Sequence, residues 1–116
     1  MKKILIVDDD VNLVESAKDI LEDAGYQVFT ASTLATARLL WTESVMDILL
    51  VDFNLPDGKG PELAQAIKSQ WPAIKTVLMS GESFSTMNPQ SAMFDHVLSK
   101  PVEPTKLLAV LAAFDS

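Results

Sequence analysis

Ile4-Leu5-Ile6-Val7-Asp8-Asp9-Asp10 joins four continuously apolar residues to three aspartates. A run that is apolar at every position, not every second one, reads as a strand covered on both faces. Comparable runs recur at Val28 to Thr30, Ile48 to Val51, Thr76 to Met79 and His96 to Leu98. Between them the apolar spacing changes to steps of three and four. Leu13, Val14, Ala17, Ile20, Leu21 and Ala24 form the clearest helix, and Gly25 supplies its stop. Weaker patterns predict helices over Leu34 to Glu43, capped by Ser32 or Thr33, over Pro61 to Gln70, ended by Trp71-Pro72, and over Pro104 to Phe114. Between Ser83 and Asp95 the apolar residues thin out and Asn88-Pro89 interrupts, so a short helix is the most this segment supports. Alternation of such strands and helices predicts an α/β fold: a doubly wound, five-stranded parallel sheet with helices on both faces. No repeat, low-complexity tract or linker divides the chain, which reads as one domain over residues 1–116.

Composition narrows the chemistry. The 116 residues carry 9 Lys and Arg against 16 Asp and Glu, a formal charge of −7. That charge opposes direct contact with a phosphate backbone, so a nucleic-acid role requires another domain. The 48% hydrophobic content suffices for a core without disulfide or metal support. Without cysteine there is no thiol nucleophile or thiolate zinc site, and a lone His96 cannot build a histidine metal cage. The longest apolar run, Leu107 to Phe114, falls well short of the roughly 20 residues of a bilayer span. The apolar stretch after Lys2-Lys3 ends at Asp8, too soon for a secretory signal. A cytoplasmic location without membrane contact is expected.

Ligands of doubly wound sheets bind outside the carboxyl ends of the strands. There the first strand runs into Asp8-Asp9-Asp10, the third into Asp52, the fourth into Ser80 and the fifth into Ser99-Lys100-Pro101. Carboxylates held within a few ångströms repel one another and become comfortable when a cation joins them. An oxygen-only donor set of this kind suits Mg²⁺, which keeps waters that a phosphate can replace. Lys100 adds a point charge for a phosphoryl oxygen and Ser80 a hydroxyl, an assembly suited to phosphoryl transfer. Singly, each residue has a plainer reading. Asp10 is a helix cap, Asp8 or Asp9 could be another, Asp52 could belong to the Pro56-Asp57-Gly58 turn, and Lys100 could be a solvated loop lysine. Their joint arrival at strand ends outweighs these separate readings. His96, alone on a strand, receives no role.

Ile4 to Asp10, Leu50-Val51-Asp52-Phe53-Asn54-Leu55-Pro56-Asp57-Gly58, Met79-Ser80-Gly81 and Leu98-Ser99-Lys100-Pro101 together resemble the receiver domain of two-component response regulators. The likeness spans essentially the whole chain and agrees in spacing, with 44 residues from Asp8 to Asp52, 28 on to Ser80 and 20 on to Lys100. The resemblance implies the flavodoxin-like (βα)5 fold and a role for Asp52 as phosphoacceptor, charged by the phosphohistidine of a sensor histidine kinase or a phosphotransfer protein. It further implies that Asp9 binds Mg²⁺ directly, Asp8 through water, and the Asn54 backbone carbonyl completes the protein ligands. Ser80 and Lys100 then hold the phosphoryl group, the Asn54 and Glu82 side chains tune its lifetime, and Lys100-Pro101 is a cis peptide. Such a domain assists its own phosphorylation and dephosphorylation without being a conventional enzyme. The early first strand suggests a domain at the start of its chain.

Two positions depart from the pattern. Val97 stands where the family usually places an aromatic switch residue, and the segment 83–95 replaces a regular helix. In the last helix Leu107, Val110, Leu111 and Phe114 make a core stripe, whereas Leu108, Ala109, Ala112 and Ala113 leave the other face uncharged. That face, with the fifth strand and segment 83–95, is expected to serve a homodimer or an output domain. The rival reading is a small Mg²⁺-dependent phosphatase of the haloacid dehalogenase kind, which also uses an Asp-x-Asp motif. Asn12 stands where such enzymes want Thr or Val, and a late acidic pair is missing. A flavodoxin-like electron carrier is opposed by three aspartates where a flavin phosphate must sit.

Overall fold

The computed structural model describes residues 2–81 and 93–114. Five parallel strands, β1 (Lys3–Val7), β2 (Gln27–Ala31), β3 (Ile48–Asp52), β6 (Lys75–Ser80) and β7 (His96–Ser99), form one sheet in the order β2-β1-β3-β6-β7. A two-residue antiparallel pair, β4 (Asn54–Leu55) with β5 (Gly58–Lys59), follows β3. The helices are α1 (Val11–Asp23), α2 (Leu34–Glu43), α3 (Gly60–Gln70) and α4 (Pro104–Ala113). The short helix expected between Ser83 and Asp95 falls mostly outside the described residues, as does Glu82.

Alternation along each strand splits the core in two. Leu5 and Val7 of β1, Leu49 and Val51 of β3 and Leu78 of β6 pack with Leu34, Ala37 and Trp41 of α2 and Leu63, Ala64 and Ile67 of α3. Ile4, Ile6, Ile48, Leu50, Val77 and Met79 face the other way, onto Ala17 and Leu21 of α1 and Leu107 and Leu111 of α4. Each central strand therefore has no solvent face, which is why its sequence lacks a polar alternate.

Local chemistry sets the helix ends. Asp10 caps α1 by accepting from the Leu13 N–H at 3.2 Å. At the other end Gly25, at φ +98°, lets its own N–H reach the Glu22 carbonyl and that of Tyr26 the Leu21 carbonyl. Thr33, not Ser32, caps α2 through Thr36 N–H at 3.1 Å. The last helix differs from its reading in one respect: Leu108 is half-buried and packs against the α1-side core together with Val110 and Phe114. The uncharged outer surface of α4 is therefore made by Ala109, Ala112 and Ala113, which are exposed. Among the described residues no helix is long and apolar enough to cross a membrane.

Candidate functional site

β1 and β3 are neighbours in register, Val7 beside Val51, so the residues that follow them emerge side by side at the carboxyl edge. Asp8 and Asp52 are buried there, at 2% and 8% exposure, and Asp9 is exposed. Carboxylate oxygens from the three lie within 4.8 Å of one another. From the far side of β6, Lys100 reaches into the cluster, its Nζ 2.9 Å from Asp8 Oδ2 and 3.2 Å from Asp52 Oδ2. The Lys100 N–H donates to the Ser80 carbonyl at 2.7 Å, which ties the end of β7 to the end of β6 beside the buried Ser80 side chain. The Lys100-Pro101 peptide is cis.

The backbone around the cluster is equally constrained. Asp8 Oδ1 accepts from the Asp10 N–H at 2.9 Å. Asp8 Oδ2 is buried, and its partner is the Lys100 ammonium at 2.9 Å. Phe53 N–H donates to the Met79 carbonyl at 2.9 Å and Gly60 N–H to the Phe53 carbonyl at 2.8 Å, fixing the chain as it leaves Asp52. Burial, and then the neighbouring Asp8 carboxylate, push the Asp52 pKa above its ordinary value despite the opposing pull of Lys100. Burial pulls the Lys100 ammonium downward, but its pairing with Asp8 and Asp52 prevails and its pKa is raised. The site thus holds one ammonium against three carboxylates. This leaves hard oxygen donors in excess of local positive charge, which fits a divalent cation such as Mg²⁺.

Five expected positions therefore converge at one edge: Asp8, Asp9, Asp52, Ser80 and Lys100. Asn54 lies two residues beyond Asp52 on β4 with its side chain exposed. Val97 is half-buried and packs against the α2–α3 side of the core, whereas His96, next to it, is exposed.

The model of the response regulator receiver domain matches residues 4–112. The chain belongs to this family. CpdR of Brucella abortus (strain 2308), a response regulator receiver protein, is 35% identical over 103 residues, covering 87% of this chain and 86% of that one. The KDP operon transcriptional regulatory protein KdpE of Escherichia coli (strain K12) is 32% identical over 87% of this chain, which spans only 45% of that protein. A CheY-like receiver domain structure from Methanospirillum hungatei JF-1 superposes with a TM-score of 0.88 at 31% identity, covering 99% of this chain and 94% of the other. The chain is thus a receiver domain of two-component phosphorelay signalling, a signalling domain and not a conventional enzyme. The phosphatase reading finds no support.

Three residues of the receiver's site surroundings escaped the sequence reading. Asp57 accepts from the Leu34 and Ala35 N–H groups of α2 at 2.8 and 3.1 Å, and the first of these bonds leads in holding its pKa below the ordinary value. In sequence it looked like a turn residue, and nothing there points to a helix 23 residues away. A Cβ on Gly60 would stand 2.1 Å from the Asp52 carbonyl oxygen, so glycine alone lets α3 start this close to the end of β3. The glycine itself was the available signal. The third is Lys59, whose ammonium donates to Asn54 Oδ1 and lies 5.5 Å from the centroid of the Phe53 ring.

Proposed function

We propose that this receiver domain, residues 1–116, takes a phosphoryl group onto Asp52 from the phosphohistidine of a sensor histidine kinase or phosphotransfer protein in a Mg²⁺-dependent reaction. The observation that carries this reading is Asp52 itself: a buried carboxylate ending a central strand, with two further carboxylates and one ammonium converging on it. An Asp52 oxygen bonds to phosphorus, the phosphorus–nitrogen bond to the donor imidazole breaks, and the imidazole leaves with its electron pair. The reacting oxygen must be ionised, and Lys100 favours that state against the upward push of burial. Asp9, Asp52 and the Asn54 carbonyl, with Asp8 through a water, would hold Mg²⁺, which would neutralise charge on the transferred phosphoryl oxygens.

Once formed, the phosphoaspartate adds roughly −1.5 to −2 charges. Lys100 then exchanges its carboxylate partners for a phosphoryl oxygen, and the Ser80 hydroxyl donates to another. Because Lys100 is tied to both strand ends, this exchange is felt along β6 and β7. The side chains of Asn54 and Glu82 tune the lifetime of the phosphate, so the domain assists both its charging and its discharge. The surface of β7 and α4, with the segment before β7, carries the change to an output domain or a second copy, and such regulators work in the cytoplasm with their kinases. Intact-mass spectrometry of wild type and Asp52→Asn with acetyl phosphate, in Mg²⁺ and in chelator, is the test. One phosphate on the wild type in Mg²⁺ alone is expected; equal incorporation in the two proteins rejects the assignment.

A further inference from the structure

Immediately beyond Asp52 the chain folds back on itself, and the β4–β5 ladder sets Asn54 directly opposite Lys59. Residues facing each other across an antiparallel pair share one side of it. Lys59 Nζ donates to Asn54 Oδ1, and the same ammonium lies 5.5 Å from the Phe53 ring centroid. One lysine is therefore held at two points by the two residues that follow the phosphoacceptor.

We propose that Lys59 is a positioning residue for the lifetime of the phosphate on Asp52, acting through the carboxamide of Asn54. This rests on Asp52 being the phosphoacceptor. An ammonium has three donors and no acceptor, so the Asn54 carboxamide must turn its oxygen toward Lys59. Its nitrogen is then the end presented to other groups. An amide N–H can donate to a phosphoryl oxygen but cannot accept a hydrogen bond from an incoming water; an amide oxygen can. In hydrolysis a water oxygen bonds to phosphorus, the bond from phosphorus to the Asp52 carboxylate oxygen breaks, and the water's proton passes to the released phosphate or to solvent. By engaging the Asn54 oxygen, Lys59 withholds from that water an acceptor that would orient it, and the phosphate persists longer.

The full chain is charged with acetyl phosphate and Mg²⁺, excess donor is removed, and loss of phosphate is followed by intact mass. Wild type is compared with Lys59→Met, which keeps an apolar stem over Phe53 but removes the donor, with Lys59→Arg, with Asn54→Ala and with the Lys59→Met/Asn54→Ala pair. Phosphate loss in Lys59→Met is expected to quicken about two- to tenfold, the range open to a single hydrogen bond of this kind. Lys59→Arg should stay near wild type, and Lys59→Met should add nothing once the Asn54 carboxamide is gone. A purely structural role for the lysine predicts neither the rescue nor the non-additivity. In the unphosphorylated protein, the side-chain amide resonances of Asn54 should move in Lys59→Met. An unchanged lifetime in Lys59→Met, or the same acceleration with and without the Asn54 carboxamide, overturns the proposal. A wild type that takes no phosphate on Asp52 overturns the assignment of Asp52 instead, and the lysine's role falls with it.

Discussion

Replacing Lys100 with methionine removes the only positive partner seen for Asp8 and Asp52 among the described residues, while keeping most of the stem volume. The Asp8 side chain is fully buried, that of Asp52 is 11% exposed and that of Lys100 24%. Breaking a buried ion pair by deleting one partner costs about 3–5 kcal/mol, because the remaining charge is left without compensation. The partly solvated ammonium places Lys100→Met at the lower end, about 3 kcal/mol, or a thermal midpoint about 12 °C lower at neutral pH in chelator. The deficit has a defined pH window. Asp52 titrates above its ordinary 3.8, so as pH falls toward that value protonation relieves the unpaired carboxylates and the variant approaches wild type. Lys100 titrates above 10.5, so its pairing is intact below that pH and is lost as pH rises through its folded value. Mg²⁺ should stabilise the variant more than the wild type, since it meets no competing ammonium. Thermal melts of both proteins across pH, in chelator and in Mg²⁺, measure all of this. Equal midpoints in chelator at neutral pH, or a smaller Mg²⁺ gain in the variant, would refute the charge argument.

Asp52→Asn should be more stable than wild type at neutral pH in chelator, because the raised pKa means folding favours the protonated carboxyl. That advantage should shrink as pH falls through the folded pKa and vanish below 3.8, as read by urea midpoints. Gly60→Ala should destabilise by about 3 kcal/mol or more in urea titrations, since its Cβ collides with the Asp52 carbonyl, an immobile backbone atom. Asp57→Ala should lower the thermal midpoint at neutral pH by uncapping α2. With its pKa held down, Asp57 contributes above 3.8, and the difference from wild type should disappear as acid titrates it. Equal acid sensitivity of the two proteins would place the cap's effect elsewhere.

The strands were legible because β1, β3 and β6 are covered on both faces, which leaves continuous apolar runs whatever the partners are. Helix ends were legible wherever one residue carries the cap, as with Asp10 and Gly25. The site was legible because a parallel sheet delivers every strand's carboxyl end to one edge, so Asp8, Asp52, Ser80 and Lys100 had to be near one another once the strands were known. These are consequences of local period and of connectivity, both written in the order of residues.

Other features depend on distances that the order of residues does not encode. That Lys100 bridges Asp8 and Asp52, and that those two are buried while Asp9 is exposed, follows from the depth at which each strand ends in the packed sheet. Asp57 looked like a turn residue until α2 came to rest beside it with unpaired N–H groups to satisfy. Leu108 looked like an outward leucine until packing of α4 onto the core left it half-buried. Lys59 found Asn54 only because a two-residue hairpin, too short to leave an alternating pattern, folded one against the other. Period and caps act within a few residues and are read directly; the partner of a polar side chain is chosen by whichever unsatisfied group packing brings within reach, and only the folded chain decides that.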